Sequence, residues 1–186
     1  MRDLFLFLGA LAFFLVPAGT AFRRARYELA LNERISVITF ILALFAYAAL
    51  AAGVAVASWL SAWPLPMGPL FSRPIGGGLL LLGAAVHLIA RFQFRSFRMA
   101  WGLENKRLIT SGIYRLVRHP QNLGWGLLLT GAGVLGRSGV ALALTGAYVV
   151  TCIIWLPVEE AALKRRFGSA YNRYRAETPA LIPFLR

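Results

Sequence analysis

Two short stretches of this chain gather residue types that can do chemistry. The first reads Thr110-Ser111-Gly112-Ile113-Tyr114-Arg115-Leu116-Val117-Arg118-His119-Pro120-Gln121-Asn122-Leu123-Gly124-Trp125. Pro120 fits the first turn of a helix, where its missing N–H costs nothing. The free backbone donors of such a turn would lie beside Arg118 and His119, a combination suited to a carboxylate or a phosphate. A basic membrane-proximal loop with a helix-starting proline is the plainer reading of the same residues. The second stretch is Pro157-Val158-Glu159-Glu160. Two adjacent carboxylates at the end of an apolar run are candidates for binding a cation or an amine. Glu160 has Lys164 four residues on, the favourable order for an ion pair on a helix surface, whereas Glu159 has Leu163 there. Glu159 therefore carries more functional weight.

Other polar residues point less sharply. His87 sits inside an apolar run, one turn before Arg91, and reads either as a site or as a hydrogen-bonded structural histidine. A single cysteine, Cys152, excludes an internal disulfide, and with only two histidines no metal site is expected. Gly76-Gly77-Gly78 lacks the Lys-Ser/Thr of a phosphate loop and reads as a helix start.

The elements that must position these residues follow from composition. Of 186 residues, 59% are hydrophobic and 15% charged, against about 45–50% and about 25% in soluble domains. The excess apolar surface must face a lipid bilayer. Crossing about 30 Å of hydrocarbon takes roughly 20 residues of helix, and five uncharged runs approach that length: Leu4–Phe22, Ile35–Leu60, Ile75–Ala90, Gln121–Gly136 and Gly139–Val158. The expected fold is all-α and integral to the membrane, with five transmembrane helices. The last two are joined only by Gly136-Arg137-Ser138-Gly139 and so form a C-terminal helical hairpin. Gly126, Thr130 and Gly133 give the fourth helix a small-residue face that another helix can approach. Pro64, Pro66, Pro69 and Pro74 mark an irregular outer loop before the third run. The chain reads as one membrane domain over 1–186, with the first two helices and the outer loop in 1–74 and the catalytic core in 75–186.

The 20 basic residues against seven acidic ones give a net charge of +13. Sorted by the segments between the five runs, the basic residues fall 1, 4, 1, 7, 1 and 6, so seventeen lie on one side. By the positive-inside rule that side is cytoplasmic, which places the N-terminus outside and the C-terminus in the cytoplasm. The pattern accounts for the charge without nucleic acid as a partner. The first run is read as a retained helix rather than a signal peptide. Its n-region holds only Arg2, offset by Asp3, and Arg23, Arg24 and Arg26 after it resist translocation.

The run Leu108-Ile-Thr-Ser-Gly-Ile-Tyr-Arg-Leu-Val-Arg-His-Pro-x-x-x-Gly124 is followed by the hairpin. Then come Glu159-Glu160-x-x-Leu163-x-x-x-Phe167-Gly168-x-x-Tyr171-x-x-Tyr174 and a closing Ile182-Pro183-Phe184. In order and spacing these resemble the isoprenylcysteine carboxyl methyltransferase and phospholipid methyltransferase superfamily of integral membrane enzymes. The resemblance implies S-adenosylmethionine as cofactor in a cytoplasmic pocket between the last helices, and a lipophilic or amphiphilic acceptor arriving from the bilayer. It assigns catalytic roles to Arg118, Glu159 and Glu160, and cofactor binding to Tyr114, His119, Pro120, Asn122, Gly124, Trp125 and Glu159. The chemistry of these residues agrees. A sulfonium donor with an amino-acid tail needs a carboxylate for its ammonium, which Glu159 or Glu160 offers. Its carboxylate needs donors such as the His119-Pro120 helix start, and its positive sulfur suits the aromatic face of Trp125 or Tyr114. Gly124 would allow close approach to the adenosine. Methyl transfer needs positioning and a dry pocket rather than a nucleophilic side chain.

Two positions depart from the family pattern. Asn122 stands where the Arg-His-Pro-x-Tyr-x-Gly element has tyrosine, and Trp155 stands where prenylcysteine-type members tend to carry an arginine. The second change removes a partner for a carboxylate acceptor and favours a neutral or amine-bearing head. The competing enzyme class is an NADPH-dependent membrane reductase of the sterol-reductase kind, which carries a similar Arg-His-Pro element. A non-enzymatic membrane scaffold would account for the spans but not for the two polar clusters.

Overall fold

The computed structural model describes residues 1–100, 102–104 and 106–183; Phe184 of the closing motif and Arg186 of the basic tail lie outside the described residues. Six helices follow in order: α1 (Arg2–Asn32), α2 (Val37–Trp59), α3 (Pro69–Gln93), a single turn α4 (Phe97–Ala100), α5 (Pro120–Leu135) and α6 (Gly139–Glu177), with a 3₁₀ turn over Gly112–Arg115. Among the described residues there is no strand, only an isolated bridge between Pro64 and Ser138.

Four of these helices, α1, α2, α3 and α6, are long and apolar enough to cross a membrane, which makes the chain an integral membrane protein. The fourth expected span, α5, has 16 residues, about 24 Å of helix at 1.5 Å per residue. That is shorter than the hydrocarbon of a bilayer. Helix limits also differ from the apolar runs. α1 continues ten residues past Phe22 because its charged turns pack on α6 rather than fray. α3 begins at Pro69, not at the glycine triplet, since Pro69 fits position N1 and the helix simply passes through Pro74. Gly76 is thereby an interior helix residue.

The two ends of the bundle are tied by named bonds. At one end the Trp63 N–H donates to Asp3 Oδ2 at 3.0 Å, the Leu65 N–H to the Arg137 carbonyl and the Gly139 N–H to the Trp63 carbonyl. At the other end the Ile35 N–H donates to the Gly102 carbonyl, Arg165 to the Leu29 carbonyl at 2.8 Å, and Arg166 pairs with Glu33. Between the ends, a core of Phe14, Leu50, Val54, Leu144 and Tyr148 joins α1, α2 and α6.

α5 packs through two faces, one on this core and one on α3. One meets α6: a Cβ at Gly126 would sit 3.6 Å from Tyr148, and one at Gly133 would sit 2.8 Å from Leu142. The other meets α3, and there the backbones touch. A Cβ at Gly124 would lie 2.6 Å from the His87 nitrogen, and one at Gly131 would lie 2.7 Å from the Leu80 nitrogen. Reciprocally, one at Gly76 or Gly83 would lie 2.6 Å from a backbone nitrogen of α5. Each helix thus offers two glycines seven residues apart, the small-residue device by which helices in lipid come close enough for dense packing.

Candidate functional site

At its N-terminus α5 brings Arg118 and His119 against the end of the apolar part of α6. The apolar run of α6 ends at Val158, and Glu159 and Glu160 follow directly. The two carboxylates then part. Glu160 turns inward to a clasp: Arg118 reaches its Oε1 through Nε at 2.9 Å and Nη2 at 2.7 Å, and His119 Nε2 lies 3.2 Å from the same oxygen. Arg175 Nε holds the other oxygen at 3.1 Å. Burial alone would raise the Glu160 carboxyl, but hydrogen bonds from His119 and Arg118 and their charge outweigh it and hold it at about 2. The expected surface pair of Glu160 with Lys164 is corrected by this arrangement, because the tertiary partners supply several charge-assisted bonds where Lys164 would supply one exposed contact.

The clasp also fixes the chain beyond α6. Gly168, at φ 54° and ψ −125°, takes a conformation open to glycine and breaks α6 so that its last turns fold across the α5 start. Arg118 Nη1 donates to the Arg175 carbonyl at 3.1 Å and to the Thr178 carbonyl. The Arg118 and His119 N–H groups donate to the Pro179 and Ala180 carbonyls at 2.8 and 3.0 Å. These two donors precede α5 and hold the returning chain, while within the first turn the Leu123 N–H bonds the His119 carbonyl.

Beside the clasp a cavity of about 450 Å³ runs into the bundle. Of the residues singled out from sequence, Tyr114, Arg118, His119, Asn122, Trp125 and Glu159 line it; Pro120, Gly124 and Glu160 do not. Pro120 is fully buried at N1 of α5. Gly124 faces α3, so the close approach it allows is to the His87 backbone rather than to a ligand. The Glu159 side chain keeps 41% of its surface, against 10% for Glu160, and His119 Nδ1 lies 3.8 Å from its Oε2. Glu159 is thus the carboxylate available to a ligand cation.

Tyr47 and Tyr148 are wall residues that the sequence reading does not single out. Tyr47 of α2 and Tyr148 of α6 stand with Trp125 in a mutually tilted aromatic group, ring centroids 5.9 and 6.0 Å apart. Tyr148 donates to the Asn122 carbonyl at 3.0 Å. Each tyrosine is a lone polar ring in an apolar run, and that signal was present in the sequence. His87 also lines the cavity, with Nδ1 3.2 Å from the Gln121 carbonyl and its ring 5.8 Å from Trp125. Tyr174 donates to the Tyr114 carbonyl at 2.7 Å and, with Tyr171, closes the cavity beneath the folded-back end of α6. Among the described residues no group of three metal-ligating side chains is present.

The fold and site define a helical membrane protein with an interior cavity that is charged at one end and aromatic within. The family model for phospholipid methyltransferases matches residues 71–170, more than half of the chain. The chain belongs to that family. It is 34% identical over 116 residues to methanethiol S-methyltransferase 2 of Bradyrhizobium diazoefficiens, covering 58% of this chain and 43% of that one. It is 28% identical over 88 residues to protein-S-isoprenylcysteine O-methyltransferase B of Arabidopsis thaliana, covering 44% and 42%. To the methanethiol S-methyltransferase of Crocosphaera subtropica it is 28% identical over 120 residues, covering 58% and 46%. The match spans less than half the length of each of these relatives. No solved structure matches the chain.

Proposed function

We propose that the chain is an integral membrane methyltransferase that uses S-adenosylmethionine and acts on a lipophilic or amphiphilic acceptor at the cytoplasmic face. One observation carries this reading: a single cavity joins an available carboxylate, Glu159, to the aromatic group of Tyr47, Trp125 and Tyr148. The donor set fits the cofactor. Glu159 holds an ammonium, His119 stands beside it, and aromatic faces lie where a positive sulfur is favoured. When bound, the cofactor supplies an activated methyl group. The protein's part is to orient the two partners and to keep water out, which the apolar walls do. Arg118 and Glu160 act through position, clamping the His119 ring and the end of α6 around the cavity mouth.

The acceptor side is read from the same walls. The charged lining groups Arg107, Arg118 and Glu159 belong to the charged end, and the deeper wall of Phe14, Ala46, Tyr47, Tyr148 and Cys152 carries none. That favours an acceptor with a neutral or amine-bearing head, as does Trp155 in the cavity wall. Leu44 and Ala48 line the cavity yet are exposed on α2, which supports lateral entry from lipid. In this reading α5 is a fifth, short crossing paired with α6 as a hairpin, served by a thinned or tilted local bilayer. The basic end is cytoplasmic, with the N-terminus outside and the C-terminus inside.

The test is thermal stabilisation of the purified protein by S-adenosylhomocysteine and, separately, by NADPH. Saturation at 100 times the dissociation constant adds about 2.7 kcal/mol. The expected result is a shift with S-adenosylhomocysteine and none with NADPH, and the opposite result overturns the reading. Glu159→Gln should weaken S-adenosylhomocysteine about tenfold or more, the worth of one charge-assisted bond. Unchanged affinity places the site elsewhere. In bilayers, transfer of a labelled methyl group to water-soluble polar metabolites alone would refute the acceptor class.

A further inference from the structure

A shallow groove runs along the outside of the bundle between α1 and α6, lined by Phe22, Arg26 and Ala30 on one side and Pro157, Val158, Ala161 and Arg165 on the other. Phe22, Arg26 and Ala30 recur every four positions on α1, as do Pro157, Ala161 and Arg165 on α6, so each set shares a face, with Val158 beside the second. Read in the same direction, both walls pass from apolar to cationic: Phe22 to Arg26, and Pro157 and Val158 to Arg165. The change falls where the uncharged runs of the two helices end, at Phe22 and Val158.

The charge in this groove is uncompensated. Nearby acids are engaged elsewhere, Glu28 by Arg24 and Ser36, and Glu33 by Arg166. Among the described residues neither Arg26 nor Arg165 has a carboxylate partner. Arg165 is held in place by its Nη2 bond to the Leu29 carbonyl at 2.8 Å, which leaves its remaining donors for a ligand. Two guanidinium groups above an apolar slot at a bilayer boundary match one class of molecule, whose own order is acyl chain and then phosphate.

We propose that this groove binds one anionic phospholipid, with its acyl chain along Phe22 and Pro157 and its phosphodiester between Arg26 and Arg165. This site is outside the cavity and independent of the methyl-transfer reading. A lipid here would bridge α1 and α6 beside the packed contact of Ala25 and Leu29 with Ala162, tying the N-terminal helix to the helix that carries Glu159.

The test is native mass spectrometry of the full chain in micelles containing equal amounts of phosphatidylglycerol and phosphatidylcholine. One retained phosphatidylglycerol is expected, favoured over phosphatidylcholine by about fivefold or more. Arg26→Gln should reduce that retention about fivefold. Arg165→Gln loses the Leu29 contact as well, so Arg165→Lys serves as the gentler variant and should also lower retention. Lys164→Gln with Arg173→Gln removes two charges at the same end but outside the groove, and should leave retention unchanged. Equal retention of the two lipids overturns the proposal. So does equal loss in the Lys164/Arg173 variant, or displacement of the lipid by inorganic phosphate alone.

Discussion

Replacing Gly124 by alanine tests whether α3 and α5 are packed backbone to backbone. The added Cβ would lie 2.6 Å from the His87 nitrogen, 2.8 Å from the Gly83 carbonyl oxygen and 2.9 Å from the His87 Cα. None of these can swing aside, so the helices must part. Overpacking of this kind costs about 1–3 kcal/mol, against a gain of about 1 kcal/mol from replacing glycine inside a helix. Gly126→Ala is the internal control: its Cβ meets Tyr148 at 3.6 Å, ordinary contact, and only the propensity gain applies. The two variants should differ by about 1–3 kcal/mol, which for a domain of this size is several degrees of melting temperature at about 2–4 °C per kcal/mol. Melting both in the same detergent measures the difference. Gly83 faces Gly124 across the contact, so Gly83→Ala added to Gly124→Ala should cost less than the two changes separately, the helices being already apart. Equal stability of Gly124→Ala and Gly126→Ala, or strict additivity with Gly83→Ala, would refute the packing argument.

The clasp and the break in α6 give two more expectations. Glu160 has its carboxyl held at about 2, below its ordinary 4.5, so its stabilising contribution is complete above about pH 4.5 and is lost as pH falls towards 2. The gap in melting temperature between the wild type and Glu160→Gln should therefore narrow over that window in a pH series, and a gap independent of pH would be the wrong outcome. Gly168→Ala forces a side chain to φ 54°, ψ −125°, a conformation worth about 1–3 kcal/mol of strain. It should lower the melting temperature and make the segment around Tyr171 and Tyr174 more open to protease; resistance equal to wild type would show that the break tolerates a Cβ.

The helical, membrane-embedded character and the two polar clusters were legible because composition and local spacing encode them directly. Pairings between helices were not. The sevenfold spacings Gly76/Gly83 and Gly124/Gly131 are in the sequence, yet the face of α5 that stands out when one helix is read alone is Gly126, Thr130 and Gly133. Both faces are used, and only the knowledge of which helix lies on which side separates them. The Glu160–Lys164 pair failed for a related reason. A local rule finds a partner four residues away, whereas Arg118 lies 42 residues away and meets Glu160 only because α5 and α6 lie against one another.

The contrast between Glu159 and Glu160 follows from the same geometry. Successive residues on a helix point about 100° apart, so a pair of adjacent carboxylates at a helix–helix seam cannot serve one environment. Glu160 faces two guanidinium groups and a histidine and is nearly buried, while Glu159, rotated by that angle, looks along the cavity with His119 Nδ1 at 3.8 Å. His119 stands between them, one ring nitrogen towards each carboxylate. A cation bound at Glu159 would therefore sit on the far side of an imidazole already anchored by the clasp, so that Glu160, which does not line the cavity, would help to position groups that do. Loss of Glu160 should for that reason loosen ligand binding without removing any group from the cavity wall.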